Sequence, residues 1–361
     1  MEYRLLGRSG VQLSTLTLGA MNFGRFANPD HDDCIRIIHA ALDAGINCID
    51  TADVYSDGES EEIVAKALKG RRDQVVIATK QFHAVGEGDV NAHGSSRRWI
   101  MASVEKSLRR LGTDHLDLYQ VHRPDDLTDI AETMSALTDV VRQGKVRMIG
   151  CCTFPAGLQM EAAWMAERHG YERFSSNQPP YSMLVRGIEW DAAPTSTKLG
   201  MGLLTWSPLA SGWLTGRIRR GQPIPSSPRW DAEINRPRLE GLHRGPGRYR
   251  DLLDPTSVDN PMTQRKLDIV EQLVPIAEEA GLTMVEMALG FVLAHPSVTS
   301  AIIGPRTMEQ LESQLAAASV RLDDDTLDRI DRVVPPGTNV NPAEAGYQPP
   351  SVTQAARRRR R

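Results

Sequence analysis

What most constrains this chain is a rhythm. Short apolar runs at 16–19, 46–50, 75–80, 116–122, 146–150, 174–178, 202–206 and 300–304 alternate with segments of helical periodicity. Each run is too short for a helix and is bounded by turn residues, so each reads as a strand. Apolar residues at helical spacing fill 32–44, 58–69, 96–111, 127–143, 155–169, 187–199, 263–280, 283–295 and 306–319. Gly45 and Gly112 act as stops, and 187–199 is the weakest segment because Pro194 and several Ser and Thr interrupt it. Strands alternating with helices build a parallel sheet, and eight of them close into a barrel. The expected fold is therefore α/β, a (β/α)8 TIM barrel with an N-terminal β-hairpin turning over 7–10 and a long loop after strand 7. A doubly wound sheet competes, but the first run ends in Gly19-Ala-Met-Asn-Phe-Gly24 and lacks the GxGxxG phosphate fingerprint.

Residues 1–335 are assigned to the barrel. Residues 336–361 contain Pro336, Pro342, Pro349 and Pro350 and read as an extended, disordered tail with a basic end. The segment 215–262 is rich in Pro, Gly and Arg without a period, and a loop of that length is normally functional or disordered. A chain that is 40% hydrophobic and 24% charged has material for one large core. Its net charge of −4 gives no general attraction to nucleic acid, and the arginine run 357–361 reads as a solvated tail. Nothing approaches a membrane span, no signal peptide is visible, and the four cysteines (34, 48, 151, 152) form no CxxC pair. A reducing, cytoplasmic setting is expected, with no nucleic-acid, membrane or metal partner.

In such barrels reactive groups sit at the C-terminal ends of the strands. The runs end at Asp50 (followed by Thr-Ala-Asp-Val-Tyr55), Lys80, His122, Gln178, Trp206 and Gly304. Singly, each is more often a structural residue; together, acid, phenol, amine and imidazole on one rim suit proton transfer. A tyrosine with a reference pKa of about 10 needs its phenolate stabilised to act as an acid. Lys80 can supply that charge, Asp50 can hold Lys80, and a neutral His122 can aim a carbonyl or relay a proton. No side chain provides hydride, so a nicotinamide cofactor is implied. Trp206 offers a ring and Gln178 an amide, while Gly304-Pro-Arg306-Thr-Met-Glu-Gln310 opens a helix as an anion site.

With these residues in view, the chain resembles the aldo-keto reductase superfamily over about residues 2–335, nearest to bacterial general reductases and voltage-gated potassium channel β subunits. The resemblance rests on Tyr3-Arg-Leu-Leu-Gly-Arg-Ser-Gly10, Leu18-Gly-Ala-Met-Asn-Phe-Gly24, Asp50-Thr-Ala-Asp-Val-Tyr55 and the segment 107–122 ending at His122. Asn177-Gln178, Trp206-Ser-Pro-Leu-Ala-Ser-Gly212 and Ile303-Gly-Pro-Arg-Thr307 complete it. It implies NADPH-dependent reduction of a small-molecule aldehyde or ketone, with Tyr55 as proton donor and Asp50, Lys80 and His122 completing a tetrad. Met21 and Asp50 would touch the cofactor, Gln178 its carboxamide and Trp206 the nicotinamide face. Ser207, Leu209 and Ser211 would line the pyrophosphate, and Gly304, Arg306, Gln310 and Gln314 the adenosine end. Arg306 near a 2′-phosphate favours NADPH over NADH.

One departure stands out. The family usually has Ser-Asn after the fifth strand, both holding the carboxamide; Cys152 and Thr153 occupy those positions here. A thiol is a weak donor and acceptor, so weaker anchoring is expected. Two other readings stay open: a cofactor-binding regulatory subunit, and a lyase or isomerase with Lys80 as Schiff-base nucleophile. Met21, Phe23, Phe82 and His83 are expected to face the pocket beneath the 215–262 loop, suggesting an apolar or aromatic carbonyl. His83 is equally readable as a solvated loop residue, and a homo-oligomer is left open.

Overall fold

A two-stranded antiparallel hairpin, β1 (Tyr3–Leu5) and β2 (Gln12–Ser14), opens the chain. The structure, a computed structural model, describes residues 1–84, 89–222 and 260–354, together with 357 and 359. Eight parallel strands follow: β3 (Leu16–Gly19), β4 (Cys48–Asp50), β5 (Val76–Gln81), β6 (Leu116–Val121), β7 (Val146–Cys152), β8 (Phe174–Gln178), β9 (Gly202–Thr205) and β10 (Val298–Ile303). Each pairs with the next and β10 returns to β3, closing the barrel that the sequence rhythm predicts. Every one of the eight apolar runs supplies a strand.

The surrounding helices are α1 (His31–Asp43), α2 (Glu59–Ala67), α3 (Arg97–Leu111), α4 (Ile130–Arg142), α5 (Ala156–His169) and α6 (Ala192–Leu199). They continue as α7 (Pro261–Glu279), α8 (Met284–Ala294), α9 (Met308–Ala316), α10 (Asp324–Val333) and α11 (Pro350–Thr353). Pro194 does not break α6, because it occupies the first turn, where backbone N–H groups have no helical partner anyway. The helix is instead shortened, with a 3-10 turn at Gly187–Glu189 ahead of it. No described helix is long and apolar enough to cross a membrane.

Two cores result from the two-residue period of the strands. Leu16, Leu18, Ile49, Ile77, Tyr119, Ile149 and Leu203 face outward into the layer under the helices. Leu6 and Leu13 from the hairpin join Cys48, Ala78, Leu118, Leu204 and Ile302 inside the barrel and plug its floor. Above this plug the inward positions turn polar: Asp50, Lys80, Gln120 and Gln178, all buried. Register sets them side by side, with Lys80 opposite Gln120 and Cys152 opposite Gln178. Gly150 leaves room for Ser176 and Gln120, since a Cβ there would lie 2.4 Å from Ser176 Oγ and 3.2 Å from Gln120 Cγ.

One expectation needs amendment, and another lies mostly outside the described residues. The stretch after 335 is not free: Val340 is fully buried, the Arg186 N–H donates to the Thr338 carbonyl, and the Val340 N–H donates to that of Leu184. The long loop after β9 falls mostly at 223–259, outside the described residues, as does most of the arginine run.

Candidate active site

The segment after β4 is laced to the end of β5: the Thr51 N–H donates to the Ala78 carbonyl (2.8 Å) and the Asp53 N–H to that of Lys80 (3.1 Å). A 3-10 turn at Tyr55–Gly58 then leads into α2. Ser60 fixes this corner, sharing a 3.0 Å hydrogen bond with Thr51 Oγ1 and donating to the Ala20 carbonyl. Ser56 and Asp57 both hold positive φ there, so the turn that presents Tyr55 is maintained against local preference.

Lys80 is the hub. Its ammonium, 0% exposed, donates to Asp50 Oδ1 at 2.5 Å, the Thr51 carbonyl at 2.8 Å and the Tyr55 hydroxyl at 3.3 Å. The other Asp50 oxygen accepts from Gln178 Nε2 (2.8 Å) and Gln120 Nε2 (3.3 Å). The His122 ring meets the Tyr55 ring edge-on at 5.8 Å between centroids. His83 meets His122 in the same way at 5.0 Å, so it belongs to this cluster. Phe23, expected at the pocket, is fully buried in the outer core instead. Phe82 stays beside His83, at 5.3 Å.

Burial would lower the Lys80 pKa, but the Asp50 carboxylate outweighs it and holds the ammonium above the ordinary lysine value. For Tyr55 the balance goes the other way. Burial raises its pKa and Lys80 only partly offsets that, so the phenol stays protonated rather than acidified. Burial, with His83, Arg123 and Lys80 nearby, pushes His122 well below the ordinary histidine value, and the imidazole is neutral at pH 7. The Cys152 thiol is pushed up to about 11, chiefly by burial.

On the side of the rim beyond β9, Ser207, Ala210 and Ser211 have positive φ, and a 3-10 turn at Ala210–Thr215 curls the chain back after Trp206. The N–H groups of Gly212 and Leu214 return to the Leu209 carbonyl. The backbone around Gly304 and Arg306 is held from β3's exit: Asn22 Nδ2 donates to the Gly304 carbonyl (2.7 Å) and Asn28 Nδ2 to that of Arg306 (2.9 Å). Met21 precedes Asn22 on the same turn and is half-buried. The Gln310 side chain accepts from the Arg306 N–H at 2.9 Å, which ties it to the loop as well as the helix. Burial, and then the Arg217 charge, lower the Arg306 pKa. Trp206 Nε1 and Gln314 Oε1 are buried without a hydrogen-bond partner among the described residues.

Gln120, Arg123, Asn22 and Asn28 are the members that sequence reasoning missed. Gln120 was findable, because alternation along 116–122 puts Leu118, Gln120 and His122 on one face.

Comparison with known proteins agrees with this architecture. Residues 15–335 match the sequence pattern of the aldo/keto reductase family. The chain belongs to that family. It is 34% identical to the uncharacterized oxidoreductase YrpG of Bacillus subtilis, over 93% of this chain and 96% of that protein. It is 35% identical to a probable voltage-gated potassium channel subunit beta of Arabidopsis thaliana, over 92% and 97%. It is 32% identical to versiconal hemiacetal acetate reductase of Aspergillus parasiticus, over 89% and 94%. Relatives in this family thus include oxidoreductases and a channel subunit.

Proposed function

We propose that this chain is an NADPH-dependent oxidoreductase that reduces an aldehyde or ketone to an alcohol, with Tyr55 as proton donor. The observation that carries the reading is the single Lys80 ammonium bonded at once to Asp50 and Tyr55. A buried phenol keeps its proton until a stronger base is formed beside it, and the developing alkoxide of a reduced carbonyl is such a base. As the proton leaves, the phenolate gains a cation at hydrogen-bond distance. Asp50 fixes that cation and is itself fixed by Gln120 and Gln178. His122, neutral, orients the carbonyl oxygen without competing for the proton.

A nicotinamide cofactor, when bound, supplies the hydride that no side chain can. The residues fit such a group. Half-buried Trp206 and buried Gln314 each carry a polar atom without a hydrogen-bond partner among the described residues, and the left-handed turns at Ser207 and Ser211 open a backbone cradle. Arg306, half-buried and destabilised in its charged form by burial and the Arg217 charge, would be relieved by an anion, which supports a 2′-phosphate and hence NADPH. The test is NADPH oxidation over a panel of aromatic and aliphatic aldehydes, with Tyr55→Phe beside wild type. Turnover that falls by about a hundredfold or more while NADPH binding persists is the expected result. Binding without turnover in either protein favours a cofactor-binding regulatory subunit; the Arabidopsis relative is named a probable potassium channel subunit.

A further inference from the structure

At the two positions where the family holds the carboxamide, this chain has already engaged its donors. Cys152 Sγ donates to the Gln178 carbonyl at 3.0 Å, and Thr153 Oγ1 to the Cys152 carbonyl at 2.6 Å. Arg123 occupies the same corner. It follows His122 on the loop leaving β6 and is half-buried. Its Nη1 lies 3.4 Å from Thr153 Oγ1 and 4.0 Å from Cys152 Sγ, and its guanidinium carbon is 5.9 Å from the centre of a Trp206 ring. One guanidinium therefore lies beside all three side chains. The contacts to thiol and hydroxyl are long, weak ones that a better acceptor can replace.

Gln178 completes the corner with the opposite polarity. Its amide nitrogen is engaged by Asp50 Oδ2 and Gln120 Oε1, which are acceptors, so the orientation of the amide is set. Its Oε1 therefore points toward Cys152, 3.9 Å from Sγ. Donor and acceptor thus stand at matching distances from the Cys152 sulfur, 4.0 and 3.9 Å. A primary carboxamide presents one carbonyl oxygen and one NH2 group, the complement of that pair. We propose that Arg123 donates to the nicotinamide carboxamide oxygen while Gln178 Oε1 accepts from its NH2, so that Arg123 replaces the anchoring lost at Cys152 and Thr153. This rests on the nicotinamide reading above and adds a residue to it.

The experiment is calorimetric titration, without carbonyl substrate, of NADPH and of 2′-phospho-ADP-ribose, which lacks the nicotinamide. Wild type, Arg123→Leu and Arg123→Lys are compared. Loss of a charged donor should weaken NADPH binding on the order of ten- to a hundredfold in Arg123→Leu. Binding of 2′-phospho-ADP-ribose should be unchanged, which also reports that the variant is folded. Arg123→Lys should recover part of the NADPH affinity, because charge is kept and the planar fork lost. If Arg123→Leu fails to fold, a selective loss for NADPH in Arg123→Lys carries the proposal, and its absence overturns it. Equal losses for both ligands, or none for NADPH, overturn it; the latter with a raised KM for carboxylate-bearing carbonyls would make Arg123 a substrate anchor. Wild type that binds 2′-phospho-ADP-ribose as well as NADPH also overturns it, while wild type that binds neither brings down the cofactor reading as well.

Discussion

Thr153 holds φ at 59°, where a β-branched side chain is strained and asparagine is comparatively tolerated. Thr153→Asn should therefore stabilise the fold by about 1 kcal/mol, read as a higher urea midpoint with an unchanged slope. Asp53 carries a different stress. It is 1% exposed, and its carboxylate oxygens find no well-formed hydrogen bond among the described residues. Burial, and then the Glu61 charge, raise its pKa well above the ordinary carboxylate range. The unfolded chain loses this proton near pH 4 while the folded chain retains it, so stability falls as pH rises above that point. Asp53→Asn removes the dependence, and each unit of elevation is about 1.4 kcal/mol. The variant should match wild type in urea near pH 4 and exceed it at pH 7; parity at both would show that Asp53 is charged and satisfied. Lys80→Met strands the Asp50 carboxylate and should cost about 3–5 kcal/mol as well as turnover. Asp50, Tyr55, Lys80, His122, Gln178 and Trp206 were legible because each falls at or just beyond a strand end. Arg123 was not, since nothing in a lone arginine after a histidine tells which way a loop will carry it.

At the scale of elements, the hairpin's hold on the barrel floor depends on one turn residue. Gly7 has φ of 56°, and a Cβ there would lie 2.2 Å from the Gly200 carbonyl oxygen and 2.7 Å from the Gly202 nitrogen. Both are backbone atoms that cannot step aside. Gly7→Ala should cost on the order of 3 kcal/mol, seen as a lower thermal midpoint; a midpoint within a degree or two of wild type would mean the hairpin is only loosely seated. The eight strands could be read from the sequence because each is a buried run between turns, a pattern that depends on few long-range facts. Helix α10 was missed although its signals are local. Asp323 caps it by accepting from the Thr326 N–H, and Leu327 and Ile330 lie on one face. Its charged first turn, Asp324-Asp325, disguises the amphipathic pattern as a solvated loop. Proline likewise misled in 187–199, where position within the turn, not presence, decides whether a helix survives.

For the whole molecule, the decisive feature is the segment that the prolines made look like a tail. Residues 337–348 cross from Gly187 to the active-site rim as a strap. Asn339 Oδ1 accepts from the Gly187 N–H, the Val340 side chain is fully buried, and Glu344 pairs with Lys266, whose ammonium lies over Trp213. Tyr347 donates to Asp126 at 2.6 Å, and a Cβ on Gly346 would come within 2.9 Å of Thr153 Cγ2. None of these partners is near in sequence, so no local pattern could announce them. A chain ended after Pro335 should lose the burial of Val340, worth about 2 kcal/mol. It should also lose the Lys266–Glu344 pair, whose one-sided removal costs about 3–5 kcal/mol. Glu344→Gln isolates the second contribution, since the strap remains while Lys266 keeps its buried amine without a counter-charge. Urea unfolding of the three proteins separates the cases: a deficit in Glu344→Gln approaching that of the truncation makes the ion pair the main clasp. A deficit confined to the truncation assigns the hold to apolar burial and backbone pairing. Because the strap ends beside Thr153, the truncated protein, assayed for the proposed reductase activity, should also show a raised KM for a carbonyl substrate, and an unchanged KM would mean that the strap closes the fold without shaping the pocket.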